Sequence, residues 1–313
     1  MSSAAAAASA SAEGLLSLPG RLQAAEGWAS LRAALDAGQS GTIDGAWGSA
    51  AALAAAALAA DAPATLLVVV PGAADSPSFV EDLASFSGIR PTVFEAWETW
   101  PPATHKGKLD PATTSRLRLL QLLRVDPPKI IVATMAALIQ PVPARDDLAG
   151  RGRQLAVGEV IDPSDLAVWL VDNGYKRVEA VEYPGEFSRR GGICDIFPPD
   201  AADPVRLEFF GDEVESIRTF ATGSQRSLET RASFTLLEVE NKAHPSQRVG
   251  LQGFFTDYLP PRSRIALYEP GDLKEHAKLF FERIADASGL FTIEHTFAHL
   301  MQFPTVAISM MPR

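Results

Sequence analysis

The stretch GAWGSAAAL, Gly45 to Leu53, has the outline of a phosphate-binding turn. A loop of the form G-x-x-x-x-G-K-[ST] cradles phosphates with its backbone N–H groups. Its lysine draws β/γ-phosphate charge and its Ser/Thr hydroxyl binds Mg²⁺. Gly45 supplies the first glycine, but Ala50, Ala51 and Ala52 stand where Gly, Lys and Ser/Thr would be. Gly48 and Ser49 keep the turn-forming character of the loop. Alanine can perform neither side-chain task, so the stretch reads as a turn into a helix, with weak nucleotide binding at most. No cofactor is expected. A second candidate is His295 and His299 in EHTFAH, at helical i, i+4 spacing. A zinc protease needs Glu directly after the first His, and Thr296 stands there. No third ligand is evident, so the pair reads as ordinary helical histidines and no metal is expected. Cys194, flanked by Ile193 and Ile196, reads as an inert core thiol.

These residues need elements to position them. Leu66–Val70 and Lys129–Ala133 are continuous apolar runs, the pattern of strands buried on both faces. Ser78–Phe86 and Thr113–Val125 read as helices and Thr92–Phe94 as a short strand. On the second helix Leu117, Leu120, Leu122 and Leu123 form the apolar side, with Arg116, Arg118 and Arg124 outside. Thr134 is placed to cap the helix after the second buried run. Strand and helix in alternation argue a parallel sheet with covering helices. Past Pro141-Val142-Pro143 a helix over Ser164–Asn173 is expected. Short alternating strands follow at Val178–Tyr183, Gly192–Phe197, Arg206–Phe210 and Glu213–Phe220. Further on, RIALYEP and TVAISMM read as strands and Asp272–Ala285 as a helix.

The bulk numbers bound the function. The chain has 313 residues, 47% hydrophobic and 21% charged, with a formal net charge of −10. That balance gives no support for a duplex-binding face. One cysteine allows no internal disulfide, which fits a reducing cytoplasm. Met1 to Ala12 is an Ala/Ser tail without a basic start, read as disordered rather than as a signal peptide. No run reaches the ~20 apolar residues that a membrane helix needs. Val142 to Glu240 holds 11 Lys and Arg against 19 Asp and Glu, a formal −8. This segment suits a protein partner better than a groove of DNA.

Gly211-Asp212 lies between two alternating runs and signals a hairpin. In an extended strand Leu207 and Phe209 face the core, while Arg206, Glu208 and Phe210 share the polar face. An aromatic flanked by charges is the pattern of an interface anchor, or of a side chain covered by another part of the chain.

The stretch GEFSRRGGICDIFP, VRLEFFGDEVESIRTF and SQRSL also resembles a known family. It is similar to the second domain shared by the excision-repair protein UvrB and the transcription-repair coupling factor (Mfd). The upstream WETWPP, RLRLLQLL and IIVATMAALIQPVP favour the latter, with the resemblance running from about Leu15 to the C-terminus. The resemblance implies a degenerate RecA/P-loop-like α/β domain interrupted by a small α+β domain. Residues 1–12 are then a tail, 13–142 and 239–313 the α/β body, and 143–238 the inserted UvrA-binding domain. It implies UvrA as partner, with Arg190, Arg206 and Phe210 as contacts and Arg189, Glu213 and Arg218 as neighbours. It also implies a non-catalytic recruitment role that directs nucleotide excision repair to stalled RNA polymerase. In the family the polymerase-binding and DNA-translocating modules lie downstream, and a C-terminal domain covers the docking face. The end at SMMPR reads as that of a fragment whose docking face stays open. The segment Glu98 to Leu109 is too short for UvrB's DNA-clamping hairpin. The competing class is a nucleotide-dependent DNA-remodelling enzyme, which this loop chemistry does not support.

Overall fold

The computed structural model describes residues 14–72, 76–100, 110–146, 152–237 and 251–311. The Ala/Ser tail, most of the Glu98–Leu109 segment and the last two residues of SMMPR lie outside them. The described chain begins with helices α1 (Leu18–Gln23) and α2 (Trp28–Asp36), strand β1 (Gly41–Asp44) and helix α3 (Ser49–Asp61). Then come β2 (Leu66–Val70), α4 (Ser76–Ser87), β3 (Thr92–Phe94), α5 (Pro111–Val125), β4 (Ile130–Thr134) and α6 (Met135–Ile139). Next are β5 (Val142–Pro143), β6 (Gly152–Ala156), α7 (Pro163–Asp172), β7 (Lys176–Arg177) and β8 (Glu186–Arg190). The strands β9 (Ile193–Ile196), β10 (Val205–Phe210), β11 (Glu213–Phe220), β12 (Ser227–Arg231), β13 (Ser233–Leu237) and β14 (Leu251–Gly253) follow. The chain continues through β15 (Arg264–Tyr268), α8 (Pro270–Arg283), α9 (Ile293–Leu300) and β16 (Thr305–Ser309).

The chain divides into two compact units. One comprises Met1–Ala96, Leu122–Pro141 and Phe254–Arg313; the other, Trp97–Gln121 and Val142–Gly253. The segment Trp97–Gln121 groups with the inserted unit, whereas the sequence reading kept it in the α/β body. In the first unit six strands form a parallel sheet in the order β1-β16-β15-β2-β4-β3. All five residues of β2 are buried, as expected of a strand covered on both faces. Helix α3 buries eight of its thirteen residues, seven of them alanines, in the core that also holds Val68, Val132 and Ile308. Thr134 Oγ1 accepts from Ala137 N at 3.2 Å and caps α6.

The second unit is built on an antiparallel sheet, β12-β11-β10-β9-β8, with the short β7 added in parallel. Helix α7 starts at Asp162, whose carboxylate accepts from Ser164 N at 2.6 Å, and Pro163 fills its first turn. Its Leu166 and Leu170 are buried in the sheet's apolar core. The expected strand over Val178–Tyr183 does not form; only Lys176–Arg177 pairs. Buried Glu186 explains this, because its Oε2 accepts from Glu182 N and Tyr183 N and turns the chain.

Helix α5 corrects another expectation. Arg116 is not on an outer side: it is buried, 4.0 Å from the centre of the Trp97 ring, and burial lowers its pKa to about 9. Arg118 is half-buried and donates to the backbone carbonyls of Asp200 and Ala201, and of the three only Arg124 is exposed. The leucines differ too: Leu119, Leu120 and Leu123 are buried while Leu122 is exposed.

Burial also pushes the Asp200 carboxyl up to about 6, and its Oδ1 has no hydrogen-bond partner among the described residues. An unfolded aspartate titrates near 3.9. Between those values the folded chain holds a proton that the unfolded chain has lost. Stability therefore falls as pH rises through that window and levels off above it. Urea melts of wild type and Asp200→Asn between pH 4 and 7 should show this fall, about 2 kcal/mol, only in the wild type.

Candidate functional site

The two faces of the antiparallel sheet differ in character. Leu207 of β10 lies opposite Cys194 of β9 and Ile217 of β11, and all three are buried in one apolar cluster. Burial raises the Cys194 thiol to about 12, so it is an inert core group. On the other face Arg206 lies opposite Asp195 and Arg218, Glu208 opposite Ile193 and Ser216, and Phe210 opposite Glu213.

Two tight turns bring the candidate anchors to one end of that face. Arg190 pairs with Ile193 across Gly191-Gly192, and Phe210 pairs with Glu213 across Gly211-Asp212. Gly191 (φ +58) and Gly211 (φ +63) each take the positive φ that a two-residue hairpin needs at its first central position. The turns are tied together, since Phe209 N donates to Gly192 O at 2.8 Å. A Cβ on Gly192 would stand 3.0 Å from Phe209 O, so the close approach of these hairpins favours glycine there.

The side chains at this end are unequal. Phe210 is 79% exposed, and Arg190 is exposed with no hydrogen bond or ion pair to any described residue. Arg206 is different: its Nε donates to Asp195 Oδ1 at 2.6 Å and its Nη2 to Asp195 Oδ2 at 2.8 Å. Donating to the Asp195 carboxylate holds the Arg206 pKa above its ordinary value. Arg218 Nη2 likewise donates to Glu208 Oε2, which also accepts from Ser216 Oγ at 2.7 Å. The Ser216 bond, then Arg218, keep the Glu208 carboxyl below its ordinary value.

Among the residues expected at the site, Arg190, Arg206, Phe210, Glu213 and Arg218 share this face. Arg189 does not. It lies opposite Cys194 on the helix-covered side and donates to Ser164 Oγ at 3.0 Å. The sequence reading missed Asp195 and Val160. Val160 bridges to Glu213 on the side away from Phe210 and is 74% exposed. No local pattern marks it, because it comes from a segment some fifty residues upstream of Phe210.

The loop around Gly45 forms the turn from β1 into α3, with Gly45 at φ +82 and Gly48 at φ +54. Its groups are engaged within the fold. Ala46 N donates to Ser309 O at 3.1 Å, Ala50 N to Trp47 O and Ala51 N to Gly48 O. Ser49 Oγ donates to Asp82 Oδ2 at 2.7 Å. Ala50 is exposed, but Ala51 and Ala52 are fully buried in the core. His299, for its part, stacks on Phe254 at 3.4 Å between ring centres. Among the described residues no group of three His, Cys, Asp or Glu could hold a metal. No described helix is long and apolar enough to cross a membrane.

Residues 154–240 match the family described as the UvrB interaction domain. The chain is thus a mixed α/β protein with a parallel sheet in which residues 154–240 are similar to the UvrB interaction domain. Beyond that domain, the chain is similar to the transcription-repair-coupling factors. It is 38% identical over 141 residues to that of Bacillus subtilis, 43% of this chain and 12% of the relative. It is 33% identical over 186 residues to that of Mycobacterium tuberculosis, 58% and 15%. With that of Escherichia coli it shares 26% over 189 residues, 60% and 16%. The matched parts thus span 12% to 16% of the length of these curated relatives.

Installing phosphate-loop residues tests the turn. Ala51→Lys buries a cation in the alanine core and should cost about 2–4 kcal/mol in a thermal melt. The triple change Ala50→Gly, Ala51→Lys, Ala52→Thr should produce no ATP turnover. Turnover without loss of stability would show a functional phosphate site.

Proposed function

We propose that this chain is a non-catalytic recruitment region that binds UvrA and so directs nucleotide excision repair to stalled RNA polymerase. The observation that carries this reading is the exposed Phe210 beside Arg190, at the joined hairpin tips of the matched domain. A large aromatic at 79% exposure is costly to leave in water, and such anchors dominate the energy of protein interfaces. Arginine beside it supplies a directional, charge-assisted contact. The acidic character of the surrounding segment supports a protein partner over DNA. Contacts to RNA polymerase and DNA are assigned to other modules of the coupling factors.

We read the parallel-sheet unit as a degenerate RecA-like body whose residues 13–142 and 239–313 carry the inserted domain 143–238. Its strand–turn–helix at Gly45–Gly48 supports that reading, with alanines in place of the reactive side chains. In this reading the unit is a scaffold, and recognition rests on Arg190, Arg206 and Phe210. Glu213 and Arg218 border them.

Calorimetric titration of the chain with purified UvrA tests the proposal. Phe210→Ala should weaken binding by about 2 kcal/mol or more, and Arg190→Ala by about 1 kcal/mol. Both side chains are exposed, so neither change should move the melting temperature. Unchanged affinity in both variants would refute the assignment.

A further inference from the structure

Arg206 faces solvent on the candidate face, yet most of its donors are already spent. A guanidinium has five N–H groups. The Nε hydrogen and one on Nη2 go to Asp195, and the other Nη2 hydrogen goes to Gln225 Oε1 at 3.0 Å. Phe220 lies beneath, its ring centre 4.5 Å from Cζ. What remains is the Nη1 pair. Bidentate capture of a carboxylate needs two parallel N–H groups on one edge. The Nε/Nη2 edge already holds Asp195, and the Nη1/Nη2 edge has one member committed to Gln225.

Gln225 is itself fixed. It sits at φ +57, its Nε2 donates to Thr222 O at 2.9 Å and its backbone N donates to Ala221 O at 2.8 Å. Arg206 is thus gripped on three sides, by a buried carboxylate, an aromatic ring and an amide. Arg218 is compensated by Glu208 in the same way. Among the described residues, Arg190 is the arginine on this face without an internal carboxylate.

We propose that Asp195 and Gln225 are positioning residues that present Arg206 as a charge-compensated plate, offering its partner Nη1 alone. The partner surface then carries three features: a carboxylate opposite Arg190, a neutral oxygen acceptor opposite Arg206, and an apolar pocket for Phe210. This rests on the reading of the face as a UvrA site. A plate that brings its own counter-charge enters an interface without leaving a lone buried cation. Its fixed fork also has little rotamer freedom to lose.

UvrA titrations with Gln225→Ala, Arg206→Ala and the double variant test this, with Gln225→Gly as a control that suits the positive φ. Gln225→Ala should weaken UvrA binding by about three- to tenfold, with no further loss when Arg206 is already alanine. Asp195→Asn, accepted only if its melt stays cooperative, should act in the same non-additive way. Across a salt series, Arg190→Ala should flatten the dependence of association on ionic strength, while removing the compensated pair together, Arg206→Ala with Asp195→Asn, should lower affinity at unchanged slope. Additive losses, an unaffected Gln225→Ala, or a flattened slope in Arg206→Ala combined with Asp195→Asn would overturn the proposal alone. Wild-type chain that fails to bind UvrA would overturn the binding reading beneath it.

Discussion

Leu207 sits opposite Cys194 on one side and Ile217 on the other, and this register of β10 decides which side chains meet water. Side chains alternate along a strand, so a slip of one residue would bury Arg206, Glu208 and Phe210 and expose Leu207. Burying two charges and losing a core leucine is prohibitive on the scale of a domain's net stability. The register is fixed a second time by the 2.8 Å bond from Phe209 to Gly192, where a side chain on the glycine would not fit easily. The bulge in β11 that leaves Glu215 between Ser216 and Val214 lets the last pairs, Phe209–Val214 and Phe210–Glu213, keep their faces. The candidate face is thus a consequence of core packing on the opposite side of the same strands.

That dependence explains the electrostatics. An acidic domain cannot rely on long-range attraction to present arginines, and it does not. Asp195 and Glu208 sit directly across from or beside the arginines they hold, at positions dictated by the ladder. Pairing in cis removes most of the charge that a polyanion would sense, and keeps the geometry that a shaped protein surface would read. Arg190 at the turn is exposed, and no described carboxylate pairs with it.

Much of this was legible in the sequence wherever one period dominated. The alternation around Gly211-Asp212 placed Arg206 and Phe210 on the polar face, because period two leaves no second choice. The apolar runs of β2 and β4 were plain for the same reason. Strands without a buried side were invisible: β12, SLETR, is exposed throughout, and β1, GTID, alternates only between half-buried and exposed positions. Arg116 misled because a charged residue on a helix belongs outside by default, and only Trp97 and the surrounding packing take it inside. Arg189 misled in another way, since adjacency in sequence to Arg190 means opposite faces in a strand. Asp195 was missed because its role depends on the register between β9 and β10, which no local pattern carries.

The phosphate-loop outline ends in a packing argument. Seven alanines of α3 are buried, and small side chains let a helix approach its sheet and its neighbour α4 closely. Ala51 and Ala52 therefore do more than lack an ammonium and a hydroxyl: they fill space that those groups could not occupy without moving the helix. The lack of reactive side chains and the tightness of this core are one structural fact. A turn kept by Gly45 and Gly48 needs no ligand to hold it, because Ser309 and Asp82 already take the bonds of Ala46 and Ser49. The loop is thus closed by contacts within its own unit.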